Sequence, residues 1–230
     1  MIIAGGVGSR SAQEIPKQFL TVNEIPILIY TLQAFQEHEK IDKIIVVTLS
    51  GWKEVVAAYC RQFKIHKLSQ IIDGGNSRFL SMKNGVKYLD TTESPDDLVL
   101  VHDGNRPLVS SDIIDDAIIK CKKYGNALPA LACVNSIYKS DNGTTSEETV
   151  RRDNLYKGQS PEAMKLSELS KLCDQAASEN FGDTIAGMLT HLGATVYLSK
   201  GSERNFKITT PGDIDIFKAL LTIPKTTPVK

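Results

Sequence analysis

Four short runs of β-branched and apolar residues, "KIIVVTL" (43 to 49), "DLVLVH" (97 to 102), "NALPALACV" (126 to 134) and "ATVYL" (194 to 198), recur along the chain, with helix-length stretches between them. This alternation limits the fold more than any other feature. Runs with no polar alternation suit strands covered on both faces, which are typical of parallel sheets. In the stretches between, Leu28, Thr31, Leu32 and Phe35 share a helix face, as do Phe79, Met82, Val86 and Leu89, and Ile114, Ala117, Ile118 and Cys121 after a Ser110/Ser111 start signal. The pattern predicts an α/β protein, a three-layer α/β/α sandwich around a mostly parallel twisted sheet. Residues 135 to 160 break the rhythm. They are polar, turn-rich around Asp141-Asn142-Gly143 and flanked by strand-like pairs, which predicts a protruding β-arm built on a hairpin. Residues 1 to 222 then form one domain, and 223 to 230, with prolines and no apolar period, form a frayed, disordered tail.

Composition narrows the function. The 230 residues, 41% of them hydrophobic, are enough for one sizeable core, and 27 Lys+Arg balance 27 Asp+Glu. Zero net charge gives no general attraction to nucleic acid or to an anionic membrane. Phosphate chemistry must therefore come from local clustering. Cys60, Cys121, Cys133 and Cys173 contain no CxxC pair, which argues against a zinc site or a disulfide framework and for reduced thiols in the cytoplasm. No apolar run reaches the roughly 18 residues of a membrane span, and no export signal opens the chain, so a soluble, unexported protein is expected.

The densest chemical signal is "AGGVGSRSAQEIPKQFL" (4 to 20). An apolar stub ending in Gly5, Gly6 and Gly8 can turn sharply and bring bare backbone amides against an oxyanion, while Arg10 and Lys17 supply cations beside them. Pro16 stops a helix from running through, so Lys17 sits in irregular backbone. The spacing fits neither the GxxxxGK[ST] phosphate loop nor the GxGxxG dinucleotide turn. Glycines alone describe a tight turn; glycines followed by Arg10 and "PKQ" describe a phosphate cradle.

With "GGNSRFLSMKNG" (74 to 85), "VHDGNRP" (101 to 107), "RRDNLYKGQSPEAM" (151 to 164) and "NFKITTPGDI" (205 to 214), this loop resembles the CTP-dependent polyol-phosphate cytidylyltransferases. These are the 2-C-methyl-D-erythritol 4-phosphate enzymes of isoprenoid synthesis and the ribitol-5-phosphate enzymes of wall and capsule synthesis. The five motifs stand in the family's order over nearly the whole chain. The resemblance implies a Rossmann-like nucleotidyltransferase fold and a homodimer with shared active sites, joined through the arm at about 135 to 160. It also implies transfer of a cytidylyl group from CTP to a polyol phosphate with release of pyrophosphate, ribitol 5-phosphate being the first choice of acceptor. By the same resemblance Arg10 and Lys17 are the catalytic pair that stabilises charge growing on the α-phosphoryl oxygens and the leaving group.

CTP is then bound by Ala4, Gly5, Gly6, Gly8, Gly74, Gly75, Asn76, Ser81, Asp103, Gly104 and Lys207. Asn76, Ser77 and Arg78 open a helix at its positive end, and Ser81 follows Ser77 by four residues. The acceptor phosphate falls to Arg106, Arg152 (reaching across the dimer), Ser160 and Asp183. Mg²⁺ bridges phosphate oxygens, with Asp103 as its protein neighbour at the carboxyl edge of a central strand. His102 is expected to orient the loop rather than act as a base.

Three departures bear on the acceptor. Ser136 and Ile137 stand where methylerythritol enzymes usually carry Asp-Thr, Gly182 stands where a threonine is usual, and Gly104-Asn105 replaces two small apolar residues. "YKGQSPE" and the second glycine of "AGGVGSR" lean toward the ribitol-phosphate branch. Methylerythritol phosphate stays open as acceptor, as do an inactive CTP-binding relative and, more weakly, a sugar-1-phosphate nucleotidylyltransferase.

Overall fold

The computed structural model describes residues 1–6, 15–177 and 182–223. Gly8 and Arg10 lie outside the described residues, and so does the expected tail apart from Ile223. In chain order the elements begin with β1 (Ile2–Ala4), a 3-10 turn (Lys17–Phe19), β2 (Thr21–Val22), β3 (Ile25–Pro26), α1 (Ile27–Glu37), β4 (Ile44–Thr48), α2 (Lys53–Gln62) and β5 (Leu68–Asp73). The middle of the chain forms α3 (Arg78–Thr92), β6 (Leu98–Asp103), α4 (Ser111–Tyr124), β7 (Asn126–Ala132), β8 (Ile137–Lys139) and β9 (Glu148–Val150). The last elements are β10 (Tyr156–Gly158), β11 (Glu162–Lys165), α5 (Leu166–Ala177), α6 (Ile185–His191), β12 (Leu198–Lys200) and α7 (Pro211–Leu221).

The main sheet runs β10-β7-β11-β6-β1-β4-β5, with β12 added to β7. β1 pairs parallel with both β4 and β6, β4 with β5, and β7 with β12; β10 and β11 run against their neighbours. This is the mostly parallel sheet that the alternation predicted. Side chains alternate across it with the period of two that strands impose. Ile2, Ala4, Ile44, Val46 and Leu100 join a core with Leu28, Leu32, Val56, Ile114 and Ile118. Ile3, Ile45, Val47, Val99 and Val101 join a second core with Met82, Val86, Leu89, Leu169 and Met188. α1, α2 and α4 therefore cover one face, and α3, α5 and α6 the other. A third, smaller cluster of Val22, Ile27, Ile208 and Phe217 seats α7.

Helix ends follow local chemistry. Ser77 caps α3 by accepting from the Leu80 amide at 3.0 Å, and α4 stops at Gly125, whose φ of +92° is left-handed. Thr210 and Asp213 form a reciprocal capping box on α7, with Pro211 at its first position. Ser110 takes the cap position of α4 with extended backbone, but its hydroxyl donates to the Asp112 carboxylate rather than capping an amide.

Two expectations need correction. The strand expected at 194 to 198 is instead Leu198–Lys200, because the Asn126 side chain intercepts the preceding backbone. Its amide donates to the Thr195 carbonyl at 3.0 Å and its oxygen accepts from the Tyr197 N–H at 3.0 Å. The excursion is also shorter than 135 to 160. β8 and β9 pair only with each other, around a turn in which Gly143 has φ +70°, whereas β10 returns to the main sheet beside β7. Among the described residues no helix is long and apolar enough to cross a membrane. All four cysteines are free, and burial pushes the thiols of Cys60 and Cys121 up to about 11 and that of Cys173 to about 12.

Candidate active site

The carboxyl ends of β1, β5 and β6 meet at one edge of the sheet, where open α/β folds bind ligands. Two glycine turns approach each other there. A Cβ on Gly5 would lie 3.0 Å from the Ser81 hydroxyl and 4.0 Å from Gly74 Cα; one on Gly74 would lie 2.9 Å from the same hydroxyl and 3.1 Å from the Thr48 carbonyl oxygen. Side chains at either position would push the turns apart. Ser81 Oγ accepts from the Gly75 amide at 3.1 Å and donates to the Ser77 carbonyl at 2.9 Å, and the residue is 1% exposed. Its hydroxyl thus shapes the Gly74-Gly75 turn, and a direct bond to a nucleotide would require it to exchange a partner. Asn76 is exposed at the mouth of the same turn.

Gln18 holds the ends of the first loop. Buried beside the 3-10 turn, it donates to the Ala4 carbonyl at 2.7 Å and the Gly6 carbonyl at 3.2 Å. The end of β1 and the 3-10 turn are therefore tied together through one side chain. Lys17, one residue before this anchor, donates through Nζ to the Thr209 carbonyl, which brings its ammonium beside the segment that carries Lys207.

The electrostatic centre is Asp103, the last residue of β6 and 6% exposed. Arg78 Nε donates to its Oδ1 at 3.1 Å, Arg106 Nε to its Oδ2 at 3.2 Å, and Lys207 Nζ stands 3.2 Å from Oδ2. Burial alone would raise this carboxyl, but Arg78, then Lys207, then Arg106 outweigh it and hold the group well below the usual carboxylate range. Gly104 packs beneath the loop, its N–H on the Ile3 carbonyl at 2.8 Å and its own carbonyl accepting from the Thr31 hydroxyl at 3.0 Å. A Cβ there would lie 3.2 Å from the Ile3 oxygen and 3.1 Å from Leu28.

Behind Asp103 lies a buried relay. Ser160 Oγ accepts from the Asp103 amide at 3.1 Å and pairs with His102 Nδ1 at 3.0 Å, while His102 Nε2 donates to the Arg106 carbonyl at 3.2 Å. Because a carbonyl only accepts, the neutral ring carries its proton on Nε2, and Ser160 donates to Nδ1. Full burial pushes the His102 ring down to about 3, so it is neutral near pH 7 and orients the loop. The Ser160 hydroxyl, 1% exposed, is taken up by these two partners.

Arg78 does more than open α3. Besides Asp103 it reaches Glu162 Oε1 at 3.5 Å and donates to the Asp183 carbonyl, joining three segments at one guanidinium. Burial lowers the Arg78 pKa, but Asp103 and Glu162 together reverse that, so the group stays charged. Glu162 is 2% exposed; burial pushes its carboxyl up, and its Oε2 accepts from the Ala186 amide at 2.8 Å. The signal for Arg78 was in the sequence, since a cation on the first turn of a helix opposes the helix dipole and needs an anionic partner. Gln18 and Glu162 stand inside the "PKQ" and "YKGQSPE" runs, but nothing local to the sequence gives either its partner.

Of the residues singled out from sequence, Gly5, Gly74, Gly75 and Ser81 are brought into contact, Arg106 and Lys207 meet Asp103, Gly104 packs on Ile3 at the end of the first strand, and Ser160 is buried behind Asp103 on its amide. Asp183 joins through Arg78. Arg152 lies apart, exposed after β9 and donating to the Val134 carbonyl. Among the described residues no three His, Cys, Asp or Glu side chains could hold a metal ion by themselves. Among the described residues Asp103 Oδ1 has one guanidinium partner, and a single carboxylate suits a cation that takes one or two of them.

A mostly parallel sheet with a glycine wall and converging cations at its carboxyl edge is the framework of a nucleotidyltransferase. A model of the IspD family, 2-C-methyl-D-erythritol 4-phosphate cytidylyltransferase, matches residues 1–223, and the chain belongs to that family of cytidylyltransferases. It is 40% identical over 225 residues to ribitol-5-phosphate cytidylyltransferase of Lacticaseibacillus paracasei, covering 96% of each chain. It is 35% identical over 223 residues to 2-C-methyl-D-erythritol 4-phosphate cytidylyltransferase of Clostridium botulinum strain Loch Maree, again covering 96% of each. The crystal structure of the Francisella tularensis 2-C-methyl-D-erythritol 4-phosphate cytidylyltransferase superposes with a TM-score of 0.80 at 28% identity, covering 95% of this chain and 97% of that one.

Because His102 titrates near 6.5 in the unfolded chain and at about 3 in the folded one, protons favour unfolding. Its contribution is complete above pH 6.5 and is lost as pH falls toward 3, at about 1.4 kcal/mol per pH unit. Urea unfolding at pH 6.5 and pH 5 is expected to show about 2 kcal/mol more loss in the wild type than in His102→Gln. An equal loss in both would contradict the buried neutral ring.

Proposed function

We propose that this chain transfers the cytidylyl group of CTP to ribitol 5-phosphate, giving CDP-ribitol and pyrophosphate. The observation that carries the transfer is the convergence of Arg78, Arg106 and Lys207 on Asp103, at the carboxyl edge of the sheet that also carries the Gly5 and Gly74 turns. A phosphate oxygen of the acceptor attacks the α-phosphorus of CTP; a new P–O bond forms as the bond to the bridging oxygen breaks and its electrons leave with pyrophosphate. The attacking oxygen is already ionised, so the site has to supply positive charge rather than a base. Lys17, bonded to the Thr209 carbonyl, and Lys207, two residues before Thr209 in the chain, serve the triphosphate, with Arg10 as the other member of the catalytic pair. Arg106 and Asp183, with Arg152 from a second subunit, hold the acceptor. Ser160 supports them from behind by fixing the Asp103 amide.

Asp103 would hold the Mg²⁺, which would supply positive charge against the charge growing on the leaving group. Support for ribitol 5-phosphate comes from the 40% identity to the Lacticaseibacillus enzyme and from "YKGQSPE"; the Clostridium relative keeps 2-C-methyl-D-erythritol 4-phosphate as the second reading. We assign the protein to the cytoplasm, where CTP and a reducing milieu suit its four free thiols.

Pyrophosphate release with CTP should be fastest on ribitol 5-phosphate in a panel that includes methylerythritol 4-phosphate and glycerol phosphates, should stop in excess chelator and should return with Mg²⁺. Preference for methylerythritol phosphate would overturn the acceptor, and full turnover in chelator would overturn the metal.

Among the described residues the β8–β9 hairpin pairs with no other strand, and Tyr138 on it and Val134 at its base are 64% and 65% exposed. A second copy of the same hairpin is the simplest partner. Arg152→Ala and Lys17→Ala proteins should each be nearly inactive, and re-equilibrated mixtures should recover activity. Heterodimers that form without complementing would contradict shared sites.

A further inference from the structure

Lys207 is 38% exposed on its side chain, so packing does not fix its ammonium; its place near Asp103 depends on how its backbone is held. That backbone is pinned on both sides by the loop after β6. On one side, Arg106 Nη1 donates to the Asn205 carbonyl at 2.8 Å, and the fully buried Asn205 side chain donates to the Ser160 carbonyl at 2.8 Å. On the other, Asn105 clamps Ile208 twice: its Nδ2 donates to the Ile208 carbonyl at 2.8 Å, and its own carbonyl accepts from the Ile208 N–H at 2.9 Å. Only the Nδ2 bond requires asparagine at position 105.

We propose that Asn105 is a positioning residue for Lys207. It holds the 205–209 segment at the distance that sets the ammonium against Asp103 and, once substrate binds, against phosphate oxygens. The inference rests on the reading of Lys207 as a phosphate-binding cation. Removing the Asn105 amide keeps the backbone half of the clamp, so the fold survives while the segment loosens. A lysine that wanders costs more in the transition state, where phosphate charge grows, than in the ground state.

The test is a double-mutant cycle, with kcat and KM for CTP measured by pyrophosphate release in the wild type, Asn105→Ala, Lys207→Ala and the double variant. Asn105→Ala is expected to lower kcat about tenfold with KM changed less than about twofold and melting temperature unchanged. In the Lys207→Ala background the same substitution should have almost no effect, because the group it positions is gone. If Asn105→Ala fails to fold, Asn105→Ser carries the same cycle with the loop's volume partly kept. An equal tenfold loss in both backgrounds, or full kcat in Asn105→Ala or Asn105→Ser, would overturn the proposal. Full turnover in Lys207→Ala would remove the reading beneath it, and the two failures are told apart by that single variant.

Discussion

A carboxylate that is almost fully buried must be paired, and Asp103 is paired three times over. Taking this charge out of water is costly, and its attraction to Arg78, Arg106 and Lys207 offsets the cost only while all of them stay in place. The partners arrive from separate parts of the chain: the first turn of α3, the loop after β6 and the segment before α7. Their meeting at the end of β6 therefore demands that the sheet order, the α3 cap and the seating of α7 all be correct. In the transfer proposed above, the same arrangement would meet the triphosphate with positive charge already in place.

Around that centre the fold works mainly by exclusion. Gly5, Gly74 and Gly104 permit backbone approaches that a Cβ would block, while Gln18 ties the first loop to the end of β1. The His102–Ser160 pair supports Asp103 through its amide rather than its carboxylate, which leaves the charged oxygens to the cations. Glu162 and the Asp183 carbonyl complete the surroundings of Arg78, so the loop expected to meet the acceptor is mechanically joined to the nucleotide side.

Much of this was legible in the sequence because strand and helix periods are local. The runs at 43 to 49, 97 to 102 and 126 to 134 appear as β4, β6 and β7 with ends shifted by one or two residues, and the three amphipathic faces appear as α1, α3 and α4. β5 and β11 escaped notice since "LSQIID" and "EAMK" are short and mixed in polarity. The strand near 194 moved because a side chain, Asn126, competed for its backbone, and a tertiary hydrogen bond of this kind leaves no periodic trace. At the site, motif residues such as Asp103, Arg106 and Lys207 were visible as types in a pattern. The identity of Arg78's anionic partners and the roles of Glu162, Gln18 and Asn105 were not, since each depends on a partner 12 or more residues away.

In the proposed transfer the Asp103 charge organises the cations that meet the triphosphate. The most direct measurement is pyrophosphate release by Asp103→Asn, which keeps the shape and removes the charge, taken together with its unfolding free energy. At least about a hundredfold loss of kcat is expected, together with a stability loss of about 3–5 kcal/mol from three buried or half-buried cations left without their anion. A variant with wild-type kcat and wild-type stability would contradict this role of Asp103.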